Sequence, residues 1–290
     1  MNNTEKNRCL LCNSPNIEKY PAKFAEFISK KVFNGINKDI ELIRCKDCGF
    51  AFYSYRFTEE ESSRLYKNYR NDDYQKLRMS CEDWYTAEVN YRLSHDKTEI
   101  KARRANLFNI IKKSLPNIKE IQDILDFGGD RGQLISNLLP ETNCYVYEIS
   151  EVQPEDGITL IKNWNKTKKD TFDLIICAQV MEHVSNPVEI LQTLKSHLND
   201  NGYLYIEVPF FSPFNNSKLI ENLRFKINHF FKCNKSKTYL MHEHINFYTI
   251  KSFEKILKAN NFHILYRGVQ SIKTSSNNAK IISVLAKIKN

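Results

Sequence analysis

From about residue 120 the chain alternates short, almost uninterrupted apolar runs with amphipathic ones, and no other feature narrows its fold as far. The runs DILDF, CYVYEI, FDLIICA and GYLYIEVP are rich in β-branched and aromatic residues, and segments such as GQLISNLL and PVEILQTLKSHL separate them. A strand that is apolar on both sides must be covered on both faces, and a parallel neighbour needs a crossover long enough to hold a helix. The alternation therefore predicts an α/β fold, a largely parallel sheet with helices on both faces. FHILYRGV and AKIISVLAKI depart from it because only a loop divides them. Such a pair predicts an antiparallel edge on that sheet.

Upstream the texture changes. TEEESSRLYKNY opens with Thr58 as a helix cap and glutamates in the first turn, and Leu107, Ile110, Ile111 and Leu115 fall on one helical face before Pro116 and Asn117 break it. Residues 1–60 instead carry paired cysteines and short strand-like runs. The expected organisation is a zinc-binding module over 1–58, a helical connecting segment over 59–117, and a cofactor-binding domain over 118–290. With 41% hydrophobic and 27% charged residues the chain has the composition of a globular protein, and no internal repeat is visible. No run approaches the roughly 20 apolar residues of a membrane span, and MNNTEKNRCLLCNSPN has no apolar leader core, so the cytoplasm is the expected location.

Four of the eight cysteines are paired, as Cys9-Leu-Leu-Cys12 and Cys45-Lys-Asp-Cys48. Two such knuckles in a chain with no secretion signal point to Zn²⁺ rather than to disulfides. Four thiolates close a tetrahedral shell and leave no position for water, so such a site is structural. Cys81, Cys144, Cys177 and Cys233 are isolated and read as small buried apolar residues.

The stretch LDFGGDRGQL follows the first predicted strand. A dinucleotide fingerprint requires G-x-G-x-x-G, and counting from Gly128 places Asp130 and Gln133 where its second and third glycines belong. Asp130 also has the wrong sign for a pyrophosphate at a helix N-terminus. S-adenosylmethionine makes a different demand, because its sulfonium and ammonium groups accept carboxylates nearby. Asp126 closes the strand, and Gly128, Gly129 and Gly132 allow close backbone approach. Glu148, at the end of the next strand, stands where an acid takes both hydroxyls of an adenosine ribose in related nucleotide folds. Gln179 lies just past the fourth strand, on the edge where open α/β sheets bind ligands. Asn163 and Trp164 follow the probable third strand and could frame an adenine.

ILDFGGDRGQL, YVYEIS, FDLIICAQVMEHVSNP and LNDNGYLYIEVP resemble successive motifs of class I S-adenosylmethionine-dependent methyltransferases, over roughly residues 120–265. The resemblance implies a Rossmann-like seven-stranded sheet with an antiparallel last strand. QVMEHV is similar to a segment of small-molecule methyltransferases of the ubiquinone-biosynthesis type. The zinc knuckles and HEHINFYTIKSFEKILKANNF narrow the likeness to bacterial nucleotide-sugar C-methyltransferases and relatives found with surface-polysaccharide genes. In those sugar C-methyltransferases a tyrosine directly precedes H-E-H, and a base in the segment removes a proton beside a keto group. Here Met241 occupies that place, with Tyr239 two residues earlier, so the accepting atom is left open between oxygen, carbon and nitrogen.

A hydroxyl, or a carbon beside a carbonyl, must lose its proton when it attacks a methyl group, and a histidine suits that task. His244 and His242 are the candidate bases, with Glu243 to orient a ring or hold substrate. In an extended segment the two rings point to one side and Glu243 to the other. The same residues could instead tie the loop to a sheet, or chelate a metal through H-x-H. His183 reads as a hydrogen-bonding support and Glu182 as a helix-start residue. Tyr69, Tyr74 and Arg78 lie in an aromatic stretch that covers the active site in similar family members; Arg78 could bind a carboxylate or phosphate, and the aromatics could equally pack two domains together.

The net charge of +9 is concentrated near one end. Residues 211–290 hold 14 Lys or Arg against 3 Asp or Glu, while the rest of the chain is close to neutral. This suits an anionic partner such as a nucleotide diphosphate, a nucleic acid or an acidic surface, or simply a solvated lysine-rich face. The favoured expectation is a methyltransferase acting on a sugar or nucleotide sugar of a surface glycan. The alternatives are a ribosomal-RNA methyltransferase with zinc knuckles and a non-catalytic zinc-ribbon binding protein.

Overall fold

The computed structural model describes residues 7–150, 152–168, 171–214 and 238–289. Cys233 and part of the basic C-terminal region lie outside the described residues. The chain forms two compact units, one from Met1–His95 with Phe211–Tyr248, the other from Asp96–Phe210 with Thr249–Asn290. The predicted helical stretch is thus shared, three of its helices belonging to the first unit and one to the second. Among the described residues no helix is long and apolar enough to cross a membrane.

The first unit is built on β1 (Ile17–Phe24), β2 (Asp39–Cys45) and β3 (Ala51–Tyr53), joined by two short late strands, β9 (Tyr239–Met241) and β10 (Asn246–Phe247). Their order is β10-β3-β2-β1-β9. Neighbours are antiparallel except for β9, which runs parallel to β1 with Phe24 opposite Met241. Helix α1 (Glu26–Phe33) buries Phe27, Ile28 and Val32 and ends at Asn34, whose φ of 52° is a left-handed cap that asparagine tolerates. Helix α2 (Glu59–Tyr66) starts as expected at Thr58. The Thr58 hydroxyl takes the Glu61 N–H, and the Glu61 carboxylate returns to the Thr58 N–H. Helices α3 (Asp72–Cys81) and α4 (Ala87–His95) follow. The core is strongly aromatic, with Phe24, Phe27, Tyr53, Tyr74 and Tyr85 all essentially without exposure. Rings stack and tilt within it, for example Phe24 on Phe33 at 4.6 Å.

The second unit has the α/β architecture that the alternation predicted. Its strands are β4 (Asp123–Phe127), β5 (Asn143–Tyr147), β6 (Ile158–Ile161), β7 (Phe172–Ala178), β8 (Leu198–Pro209), β11 (Phe262–Lys273) and β12 (Asn278–Ile288). They form one sheet in the order β11-β12-β8-β7-β4-β5-β6. The five strands β4 to β8 are mutually parallel, and β12, the last strand of the chain, inserts antiparallel between β8 and β11. The central strands are apolar on both sides because both are covered: Leu125, Ile175, Ile176 and Leu204 are fully buried. Helix α5 (Lys97–Ser114) packs the expected Leu107, Ile110 and Ile111 into this core, and α6 (Pro187–His197) and α7 (Ile250–Ala259) complete the helical layers.

One expected helix is absent. GQLISNLL buries Leu134, Ile135, Leu138 and Leu139 as its pattern requires, but the chain there runs as consecutive turns. Within it Asn137 adopts φ of 54°, and two residues past its end Glu141 adopts 58°, both outside the right-handed helical region, so the ladder of i to i−4 bonds is not sustained. The Ser136 N–H makes one such bond, to the Gly132 carbonyl at 3.1 Å, and shares that carbonyl with the Ile135 N–H, also at 3.1 Å.

Candidate active site

In the second unit the glycine turn begins where β4 ends. The Gly128 N–H donates to the Tyr147 carbonyl at 2.7 Å and its φ is +70°, while a Cβ placed on it would meet Val180 Cγ2 at 2.6 Å. A Cβ on Gly129 would overlap the Asp126 carboxylate, and Gly132 has φ +75°. Asp130 itself sits at φ 54°, a left-handed conformation that aspartate adopts more readily than most residues. Backbone conformation therefore gives a second reason, besides charge, for this residue in the turn. Glu148, half-buried at the end of β5, accepts the Asp130 N–H at 3.0 Å through Oε2 and the Ser150 N–H at 2.9 Å through Oε1. Each of these oxygens keeps acceptor capacity beyond that one bond.

Below the turn, Asp126 is about 1% exposed and neither of its carboxylate oxygens has a hydrogen-bond partner among the described residues. Burial pushes its carboxyl up to about 7; Arg103 opposes the shift, and Glu148, Glu207 and Asp130 add to it. Glu182 is equally buried and equally without a hydrogen-bond partner, and burial pushes it up to about 8. The Arg103 Nε donates to Glu207 Oε1 at 2.6 Å, and Tyr205 donates to Glu207 Oε2 at 2.9 Å. Gln179, at φ 60°, donates its backbone N–H to the Glu207 carbonyl at 2.8 Å and its Nε2 to Glu207 Oε1 at 3.2 Å. The carboxyl edge of the sheet is thus crowded with acids around one guanidinium. Trp164, past the third strand as expected, packs its ring against Phe127, Tyr147 and His197 at 5.0, 5.1 and 4.2 Å.

In the first unit the H-E-H segment is not extended. The backbone leaves β9 at Met241 and bends at Glu243 before entering β10. His242 and Glu243, expected on opposite sides of a strand, therefore converge on the same group of side chains. His242 Nδ1 lies 2.7 Å from Glu82 Oε1. Glu82 Oε2 accepts from Arg78 Nε at 2.8 Å, and Arg78 Nη1 donates to Glu243 Oε2 at 2.9 Å. Tyr74 donates to Glu243 Oε1 and accepts from Arg78 at 3.0 Å. The guanidinium is ringed by Phe27, Trp84 and Tyr85, with the last centroid 4.3 Å away. Burial alone would lower the Arg78 pKa, but Glu243, Tyr74 and Glu82 outweigh it and hold the group well above its usual value. Tyr69 stacks edge-on to Tyr74 at 5.2 Å, and its hydroxyl accepts from Arg70 at 3.1 Å. His244 is half-buried just beyond the bend.

The four paired cysteines also come together in the first unit. Sγ of Cys9 lies 3.7 Å from that of Cys48, and Sγ of Cys12 lies 3.6 Å from that of Cys45. All four sulfurs fall within 4.8 Å of one another. Zinc–thiolate bonds of about 2.3 Å in a tetrahedron put sulfurs about 3.8 Å apart, so donor set and spacing fit that ion. Cys81 and Cys144 are half-buried and Cys177 is buried.

Sequence reading missed Glu82, Arg103 and Glu207. Glu207 carried a usable signal, because it is the one charged residue in the apolar strand run YLYIEVP. A charge expected to be buried on both faces calls for a partner. Glu82 and Arg103 sit on or beside ordinary amphipathic helices, where a charged residue carries no such mark.

The order of the seven strands, the antiparallel insertion of β12 and the glycine turn after the central strand are those of the class I, Rossmann-like methyltransferases. The family described as "Methyltransferase domain" matches residues 98–266, and the chain belongs to it. Among curated proteins, the ubiquinone biosynthesis O-methyltransferase of Glaesserella parasuis serovar 5 (strain SH0165) is 30% identical over 97 residues, which is 33% of this chain and 39% of that relative. The chain therefore matches well under half the length of that relative. The fold is similar to that of the Burkholderia thailandensis 1,6-didemethyltoxoflavin-N1-methyltransferase, whose crystal structure contains 1,6-didemethyltoxoflavin and S-adenosylhomocysteine. The TM-score is 0.53 and the identity 11%, over 87% of this chain and 96% of that one.

Proposed function

We propose that the protein is an S-adenosylmethionine-dependent methyltransferase whose acceptor is a sugar or nucleotide sugar of surface-glycan biosynthesis. The observation that carries the cofactor assignment is the buried Asp126 carboxylate, without a hydrogen-bond partner among the described residues, beneath a turn that admits no side chain at Gly129. An acid so placed disfavours a pyrophosphate and favours a cationic ligand. Asp126, Gly128, Gly129, Gly132 and the Gln179 backbone would hold the donor, with Glu148 on its ribose hydroxyls. When bound, the cofactor supplies an electrophilic methyl group.

The acceptor assignment rests on the resemblance of the zinc knuckles and H-E-H segment to sugar methyltransferases. The name of the curated relative supports a small-molecule acceptor. In this reading a histidine of the segment, His244 or His242, takes the acceptor's proton. Glu243, Tyr74 and Arg78 hold the segment in shape, and Tyr69 is a candidate substrate contact. Cys9, Cys12, Cys45 and Cys48 would bind one structural Zn²⁺, fixing the N-terminal knuckle to the turn between β2 and β3.

Calorimetry of S-adenosylmethionine binding tests the cofactor site. The wild type binds, and Glu148→Ala weakens binding by roughly tenfold or more, as expected for losing a hydrogen-bonded charge. A wild type that binds none refutes the proposal. Release of S-adenosylhomocysteine with a panel of nucleoside-diphosphate sugars tests the acceptor, and turnover on RNA but on no sugar nucleotide would overturn that part. Loss of turnover with unchanged cofactor affinity in His244→Ala would assign the base to His244, and in His242→Ala to His242.

A further inference from the structure

Glu82 is not part of any sequence motif, yet it is the residue on which the H-E-H segment is hung. It caps the C-terminal end of α3, about 7% exposed, with its N–H on the Arg78 carbonyl at 2.9 Å and its own carbonyl taking the Tyr85 N–H at 2.9 Å. Its two oxygens do different things. Oε2 receives the Nε–H of Arg78, and Oε1 faces Nδ1 of His242, which is about 4% exposed. Arg78 in turn reaches Glu243, so the carboxylate–guanidinium–carboxylate chain grips two consecutive residues of the segment from one helix. The aromatic rings around Arg78 leave its guanidinium little freedom to swing away.

The geometry points to Glu82 as a positioning residue that fixes His242 in the tautomer protonated at Nδ1, leaving Nε2 as the nitrogen that accepts a proton; its role in turnover rests on the function proposed above. A carboxylate has no proton to give in an ion pair, so the short contact at Oε1 requires Nδ1–H to donate. A neutral imidazole with Nδ1 protonated carries its lone pair on Nε2. An acid that orients a histidine and selects its tautomer is the arrangement of the Ser-His-Asp triad, here without its serine.

The arrangement makes Glu82→Gln a discriminating variant. Arg78 Nε–H can only donate, so it claims the single amide oxygen of the substituted side chain, and the amide NH₂ is turned towards His242. Nδ1 must then be bare, and the proton moves to Nε2. Glu82→Asp keeps both acceptor oxygens and the charge, and is expected to keep the wild-type tautomer.

The test is nitrogen NMR of the full-length protein labelled with ¹⁵N-histidine, with the His242 resonances assigned by their loss in His242→Gln. The expected result is a protonated Nδ1 and bare Nε2 in the wild type and in Glu82→Asp, reversed in Glu82→Gln. A bare Nδ1 in the wild type, or the same pattern in the wild type and Glu82→Gln, overturns the inference; the wild-type spectrum decides even if the glutamine variant folds poorly. S-adenosylmethionine affinity is expected to stay within about twofold in Glu82→Gln, while turnover on a nucleoside-diphosphate sugar falls by about 100-fold or more. Reversal of the tautomer with unchanged turnover would also overturn the positioning role. A wild type that binds no S-adenosylmethionine would instead refute the proposed function, and the nitrogen pattern would still decide whether Glu82 sets the ring.

Discussion

Replacing Glu182 by glutamine should flatten the pH dependence of the protein's stability. Glu182 is buried at the acid-crowded carboxyl edge of the sheet, its carboxylate oxygens without a hydrogen-bond partner among the described residues, and burial raises its pKa to about 8. Arg103 opposes that rise and Glu207 adds to it, and His183 Nε2 stands 4.0 Å from its Oε1. A carboxyl whose folded pKa lies above its unfolded value holds its proton more tightly when folded. Its contribution to stability is complete below the ordinary carboxylate range and is lost as pH rises through about 8. The whole span corresponds to about 5 kcal/mol, of which about 4 kcal/mol falls between pH 5 and pH 9. Urea unfolding of the cofactor-free protein, followed by tryptophan fluorescence, measures it directly. The wild type should lose stability over that window, and Glu182→Gln should lose less, with the difference in midpoint on the order of 1 M urea. Equal pH dependence in the two proteins would refute the reasoning, because it would mean that Glu182 is ionised and solvated in the folded state.

Asp126 is raised to about 7 for the same reason, so Asp126→Asn should remove a smaller loss centred at lower pH, read in the same unfolding series. Gly129→Ala places a methyl group on the Asp126 carboxylate and is expected to abolish S-adenosylmethionine binding in calorimetry. The purified protein should carry about one zinc per chain by elemental analysis. Cys45→Ser should reduce that content and lower the thermal midpoint of the first unit, since a structural zinc site supplies folding energy.

The second unit was largely legible in the sequence because its strands are buried on both faces and so leave a nearly continuous apolar signature. DILDF and FDLIICA coincide with β4 and β7, and the loop-linked pair at the end proved to be the antiparallel β11 and β12. GQLISNLL was misread because its apolar spacing is helical while its backbone, with Asn137 at positive φ, is not. Spacing records which side chains are buried and says nothing of the turn type between them. The cysteine cluster was legible from short-range spacing alone. The Glu82–His242 contact was not, because it joins residues 160 positions apart through a bend at Glu243 that no local pattern announces.

The first unit is discontinuous in sequence, and this sets an order for its assembly on the ribosome. Cys9 to Cys48 can gather, and β1, β2 and β3 can pair, as soon as residue 53 has emerged. The two outer strands of that sheet are β9 and β10, so β1 and β3 wait with open edges while more than 180 further residues are translated. The second sheet waits as well, since β12, inserted between β8 and β11, is made after every other strand of that sheet. A ribosome stalled after residue 210 would therefore hold a nascent chain with two incomplete sheets. Such a chain offers unpaired strand edges to chaperones until β9, β10, β11 and β12 have been made and close both sheets.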